Sequence, residues 1–147
     1  MAGLRIRAFF WYLDAQVTDD VLSVLKEGKL EVDHSHLKET DDLRDKLINN
    51  PPDLVIADFD IPLHLRKLIE DEMSPFMSET PLIYLVGEKN EKKAAKTLTS
   101  GAWDFVQKGQ LFKLVPSVYS SQKYSRVIRE REAAERALSE SRDRYMS

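Results

Sequence analysis

The sequence predicts an α/β fold, a doubly wound sheet of five parallel strands followed by an extended C-terminal helix, and three observations predict it. Apolar runs alternate with segments of helical periodicity, the connections between them are short, and the runs are nearly continuous rather than strictly alternating. Parallel strands need crossovers, right-handed crossovers dominate, and strands covered on both faces lose the alternation that a one-sided sheet keeps.

Each element has its own reason. Leu4 to Leu13 (LRIRAFFWYL) is a short aromatic-rich apolar run, read as strand 1. Thr18 or Asp14 can cap helix 1, in which Val17, Val21, Leu22 and Leu25 recur at helical spacing before Gly28 ends it. Leu30, Val32 and His34 alternate with charged residues as strand 2, and Thr40 opens a short helix 2 with Leu43, Leu47 and Ile48 on one face. Asn49-Asn50-Pro51-Pro52 stops that helix, because proline lacks an amide donor and restrains the residue before it. Asp53 to Asp58 is strand 3, Ile61 to Glu70 a weakly patterned helix 3, and Pro81 to Gly87 strand 4. Helix 4 covers Glu91 to Thr99, Phe105 and Val106 form a short strand 5, and Pro116 opens a last helix running to Tyr145.

Composition bounds the function classes. A chain of 147 residues is the size of one domain and can bury a core without disulfides or a structural metal. It has no cysteine, which excludes thiol nucleophiles and cysteine-ligated zinc. No apolar run reaches the ~18 residues that span a bilayer, and Met1 to Leu13 lacks the organisation of a signal peptide, so a cytoplasmic location without membrane contact is expected. Through Gln122 there are 15 basic and 20 acidic residues, and from Lys123 onward 7 basic and 5 acidic. Neither part is the one-signed basic face of a nucleic-acid binder. His34 and His36 can share one side of strand 2, but no third metal ligand is evident beside them.

In doubly wound sheets functional groups gather at the carboxyl ends of the strands. That rule selects Leu13 and Asp14, Asp58 and Asp60, Val86 and Gly87, and Lys108. Carboxylates and a lysine converging there suit divalent-metal binding and phosphoryl transfer, the cations offsetting the added negative charge, with Asp58 as the nucleophile.

DLVIADFDIP (Asp53 to Pro62) is similar to the response-regulator receiver strand that ends in the phosphoacceptor aspartate, and GAWDFVQKG (Gly101 to Gly109) resembles that family's GADDYLVKP. PLIYLVG (Pro81 to Gly87) resembles its PVIMLTA strand. The likeness covers about three-quarters of the chain, and the order and spacing of the segments make it more specific than any one of them. It implies a flavodoxin-like receiver fold over residues 1–122, strand order 2-1-3-4-5, within two-component phosphorelay signalling. By position it implies that Asp58 is the phosphoacceptor, that Lys108 binds the phosphoryl oxygen, and that Phe105 is the aromatic whose rotation reports phosphorylation. It also implies a Mg²⁺ site built from Asp14, Asp58 and the backbone carbonyl of Asp60. No independent enzyme is implied beyond self-phosphorylation and dephosphorylation at Asp58, and the phosphodonor partner is a histidine kinase.

The chain departs from that pattern. Leu13 stands at the first acidic position, which makes Mg²⁺ binding weak or absent, and Val86 stands at the hydroxyl-bearing switch position after strand 4. Gly109 replaces the proline after the lysine, and the segment after Pro62 lacks the family's MDG stretch, so the loop before helix 3 is shortened or rebuilt. Placing Phe10 and Trp11 at the acidic positions removes the metal site altogether, whereas Leu13-Asp14 keeps helix 1 in register without a gap. For Asp14, helix capping competes with metal binding. These departures also support a second reading, a pseudo-receiver that binds and dimerises without phosphorylation. A flavodoxin-like enzyme or nucleotide binder is disfavoured, since LDAQVTDD has no glycine where a phosphate-cradling loop needs one.

Residues 123–147 are read as a C-terminal linker helix. Lys123 to Tyr145 has no proline or glycine and carries i,i+4 charge pairs such as Arg126/Glu130, Arg131/Glu135 and Glu132/Arg136. Tyr124, Val127, Arg131, Ala134, Leu138, Ser141 and Tyr145 form a weak heptad seam, the basis for an expected homodimer. A helix continuing from Pro116 is roughly 45 Å long and leaves the domain. AAERALSESRDRY (Ala133 to Tyr145) resembles the linker preceding PAS domains in sensory kinases, which implies a downstream sensor or output domain.

Overall fold

Apolar strand residues, sorted by parity, divide the core into two halves. The computed structural model describes residues 3–37, 43–97 and 101–146. Five strands, β1 (Leu4–Trp11), β2 (Leu30–Leu37), β3 (Leu54–Asp58), β4 (Leu82–Val86) and β5 (Asp104–Gln107), form one parallel sheet in the order β2-β1-β3-β4-β5. Five helices, α1 (Ala15–Glu27), α2 (Leu43–Asn49), α3 (Leu63–Met73), α4 (Glu91–Thr97) and α5 (Leu114–Met146), cover its two faces. On one face Ile6, Ala8, Phe10, Ile56, Leu85 and Val106 meet Val21 and Leu25 of α1 and Leu114 and Val118 of α5. On the other, Phe9, Trp11, Val55, Ala57, Tyr84 and Val86 meet Leu47 of α2, Ile69 and Met73 of α3 and Ala94 of α4. Each fully buried Leu, Ile or Phe contributes roughly 1.5–3 kcal/mol by leaving water. Together they hold the strands in one sheet, whose carboxyl ends share one rim.

Local chemistry sets the element ends. Tyr12 adopts φ 60, the left-handed region, which turns the chain out of the sheet. Strand 1 therefore stops at Trp11, two residues short of the end expected from its apolar run. The Asp14 carboxylate then accepts from Val17 N at 2.8 Å and caps α1. A short helical turn over Lys108–Lys113, unread in the sequence, carries the chain from β5 into α5. Pro116 lies in the first turn of α5, where its missing N–H breaks no bond. The expected starts and ends at Thr40 and Thr99 fall outside the described residues.

At 33 residues α5 is about 50 Å long. It remains attached to the body past Gln122: Ser125 is buried, Tyr124 lies on the Trp103 ring, and Arg129 donates to the Glu79 carbonyl at 2.7 Å. From Ala133 to Arg144 every residue is exposed. Among the described residues no helix is long and apolar enough to cross a membrane.

Candidate functional site at the carboxyl rim

Strand register decides which side chains meet. Asp58 ends β3 and pairs with Leu85 of β4, and Val86 pairs with Gln107 of β5, so Lys108 leaves the sheet directly beside both ends. Its ammonium lies 3.0 Å from Asp58 Oδ1, 3.1 Å from Asp58 Oδ2 and 2.8 Å from Asp60 Oδ2. One lysine thus bridges the carboxylate that ends β3, 50 residues away in sequence, and the carboxylate two residues after it.

The loop that makes this geometry is held at both ends. The Asp60 amide donates to Asp58 Oδ1 at 2.7 Å, a local side-chain turn that orients the Asp58 carboxylate. Phe59, between them, is buried under the Arg66 guanidinium, whose carbon stands 3.9 Å from the ring centroid. With Phe59 directed into the core, Asp60 is turned toward the end of β4. There Oδ2 accepts from the Gly87 amide and Oδ1 from the Asn90 side-chain amide, both at 2.7 Å.

These contacts perturb the titration of the pair. Burial alone would raise the Asp60 carboxyl, but hydrogen bonds from Lys108, Asn90 and Gly87 outweigh it and hold the group below its ordinary value. Burial alone would lower Lys108, yet Asp60 and Asp58 outweigh it and hold the ammonium above its ordinary value.

Beneath the rim lies an aromatic group that the sequence reading did not assemble. Phe105 stacks on Tyr84 with ring centroids 5.3 Å apart, and both meet Phe59 edge-on. The Tyr84 hydroxyl donates to Glu70 Oε1 at 2.8 Å, and burial together with that carboxylate drives its ionisation far upward. Phe105, the expected reporter residue, is half-buried in this stack. Val86, at the expected hydroxyl position, is buried and offers only methyl groups to the rim.

Of the residues expected to hold a metal, Asp58 and Asp60 are joined through their carboxylates by Lys108. Asp14 serves as the helix cap, the other role its sequence position allowed. Leu13 is packed into the core beside α1. Asp58 Oδ1 accepts from an amide and an ammonium, and both Asp60 carboxylate oxygens accept from donors, while the expected Asp60 metal ligand is its backbone carbonyl. Among the described residues no three His, Cys, Asp or Glu side chains gather as a cation site. His34 and His36 pack with Phe10 instead.

Asn90, Gly87 and the Asp60 side chain are the rim residues that the sequence reading left without a role. Their only sequence trace is that a glycine and, three residues later, an amide follow strand 4.

No protein-family model and no curated protein matches the sequence. Solved structures do match the fold. NtrX from Brucella abortus, in complex with ADP, superposes at TM-score 0.67 and 20% identity over 89% of this chain. The chain spans 29% of the NtrX length. A response regulator receiver domain protein from Clostridium thermocellum superposes at TM-score 0.65 and 18% identity, over 83% of this chain and 98% of that one. Full-length FixJ from B. japonicum superposes at TM-score 0.69 and 17% identity, over 93% and 67%. With its 2-1-3-4-5 sheet and its helices on both faces, the chain has the fold of response-regulator receiver domains.

Proposed function

We propose that this chain is the receiver module of a two-component phosphorelay, accepting a phosphoryl group on Asp58 from the phosphohistidine of a histidine kinase. The observation that carries the reading is the Lys108 ammonium within 3.1 Å of both Asp58 oxygens at the carboxyl ends of β3 and β5. In the transfer, an Asp58 oxygen attacks phosphorus, a P–O bond forms and the P–N bond breaks, and its electron pair leaves with the imidazole. Lys108 offsets charge as it builds on the phosphoryl oxygens. Mg²⁺ enters this reading as a weak ligand at most, of Asp58, the Asp60 carbonyl and Asp14, because Leu13 stands at the first acidic position.

The outlet is α5. Lys108 opens the turn that runs into α5, and Ser117 Oγ donates to Asp104 Oδ2 at 2.8 Å, tying that helix to β5. Phe105 and Val86 pack on the other face of the sheet, with α2, α3 and α4, as the packing beside Lys108 that would respond. Along α5, the exposed Val127 and Leu138 are where a second copy would pair, ahead of a downstream sensor or output domain. We place the module in the cytoplasm.

The test is acetyl phosphate with Mg²⁺, followed by intact-mass measurement of the wild-type chain and Asp58→Asn. A one-phosphoryl mass gain only in the wild type supports the reading, and no gain in either removes it. A second reading, a phosphorylation-independent dimerising module, is favoured by the methyl groups of Val86 and by the filled donors around Asp60. If beryllofluoride changes the dimer fraction in ultracentrifugation, that second reading fails.

A further inference from the structure

The carboxylate of Asp60 is held as a bound anion would be. Lys108 Nζ at 2.8 Å, the Gly87 amide at 2.7 Å and the Asn90 side-chain amide at 2.7 Å converge on it. These donors come from the end of β5, the end of β4 and the turn after β4, whereas Asp60 reaches them from the β3–α3 loop. The same ammonium touches both oxygens of Asp58. A tetrahedral oxyanion on or beside Asp58 needs donors to offset its charge, and the donors grouped around Lys108 are the ones Asp60 holds. Val86 supplies no hydroxyl in their place. Gly87 makes the arrangement sterically available, because a Cβ there would stand 2.7 Å from Asp60 Oδ2, inside contact distance.

We infer that Asp60 is an intramolecular occupant of an oxyanion pocket formed by Lys108 Nζ, the Gly87 N–H and Asn90 Nδ2, and that a phosphate-class ligand enters as the Asp60 carboxylate leaves. The pocket stands on geometry alone, while its consequence, slowed phosphorylation, rests on the reading of Asp58 as acceptor. The Gly87 N–H has one hydrogen and Asn90 Nδ2 is directed at the same carboxylate, so while Asp60 holds them it competes with inorganic phosphate and with a phosphoryl group carried on Asp58 alike.

Two arms separate these ligand sources, each run on the full chain as wild type, Asp60→Ala, Gly87→Ala and Glu88→Gln. In the first, inorganic phosphate is titrated and the amide resonance of residue 87 followed. Asp60→Ala should bind phosphate about tenfold more tightly than wild type or better, the loss of a charged competitor for hydrogen bonds being at least that large. Gly87→Ala should move in the same direction, since its new Cβ pushes the carboxylate away while keeping the N–H. Glu88→Gln removes an equal charge from the exposed adjoining turn without freeing a donor, and should change affinity less than about twofold. Equal affinity in wild type and Asp60→Ala, or an equal gain in Glu88→Gln, overturns the inference. If Asp60→Ala does not fold, Gly87→Ala against wild type decides by the same comparison. In the second arm, acetyl phosphate should label Asp58 in Asp60→Ala about tenfold faster than in wild type, and equal rates overturn the competition. Tighter phosphate binding with no label on Asp58 in any variant leaves the pocket standing and removes the acceptor reading.

Discussion

Replacing Lys108 by methionine keeps its aliphatic stem and removes the one cation shared by Asp58 and Asp60. At about 3 Å and an effective permittivity of ~20, each ammonium–carboxylate attraction is roughly 5 kcal/mol before desolvation. Most of that is offset by lost hydration, and the side chains keep 29%, 15% and 22% of their exposure for Lys108, Asp58 and Asp60. Pairs of this partial exposure return about 1 kcal/mol each. The substitution should therefore cost roughly 2 kcal/mol, which lowers the melting temperature by roughly 5–8 °C for a chain of this size. Thermal unfolding followed by circular dichroism reads it directly. Repeated in an Asp58→Asn background, where one carboxylate is already neutral, Lys108→Met should cost only about 1 kcal/mol. Costs equal within about 0.3 kcal/mol in the two backgrounds would mean the ammonium does not sit between the carboxylates, and the rim as described would be wrong.

Two further outcomes follow from the same contacts. Because the folded Asp60 carboxyl lies below its unfolded value, its contribution is fully present above the unfolded value near pH ~4 and fades as pH falls through the folded one. The stability difference between wild type and Asp60→Asn, measured by urea unfolding, should hold from pH 7 to 5 and shrink below about pH 4. On α5, ending the chain after Gln122 removes the Tyr124 ring from Trp103 and the Arg129 donor from Glu79, and should cost about 2 kcal/mol. Ending it after Arg136 removes a segment whose described side chains, 137–144, are all exposed, and should change stability by less than about 0.5 kcal/mol.

The fold was legible where burial dictates residue type. Strands buried on both faces, such as β3 up to its terminal Asp58 and LIYLV of β4, are apolar along their buried length, and the prolines at 51 and 52 mark where helix must yield to strand. Boundaries were less legible because they depend on single backbone conformations. The apolar run of strand 1 continues through Tyr12 and Leu13, yet the left-handed φ at Tyr12 ends the strand before them, and Leu13 stays apolar because it enters the core below α1. The extent of α5 on the body was hidden for a related reason. Its anchor residues are Ser125 and Arg129, polar types that composition assigns to a solvated helix, although Ser125 is buried and bonds the Ser121 carbonyl at 2.9 Å.

At the rim, sequence spacing could place Asp58 and Lys108 at neighbouring strand ends, because strand order and register alone bring those positions together. It could not say where the Asp60 side chain goes. That direction is set by Phe59, the residue before it: once the Phe59 ring packs against Tyr84 and beneath Arg66, the next side chain leaves the core and accepts from Gly87 and Asn90 after β4. Reading Asp60 as a backbone carbonyl ligand used only its position after the acceptor strand. Its side chain has a separate fate, decided by a bulky neighbour and by the absence of a Cβ at Gly87. Gly87 and Val86 therefore act on the same rim: Val86 presents methyl groups and no hydroxyl donor, and the missing Cβ of Gly87 leaves room for the carboxylate that accepts from the Gly87 N–H and Asn90.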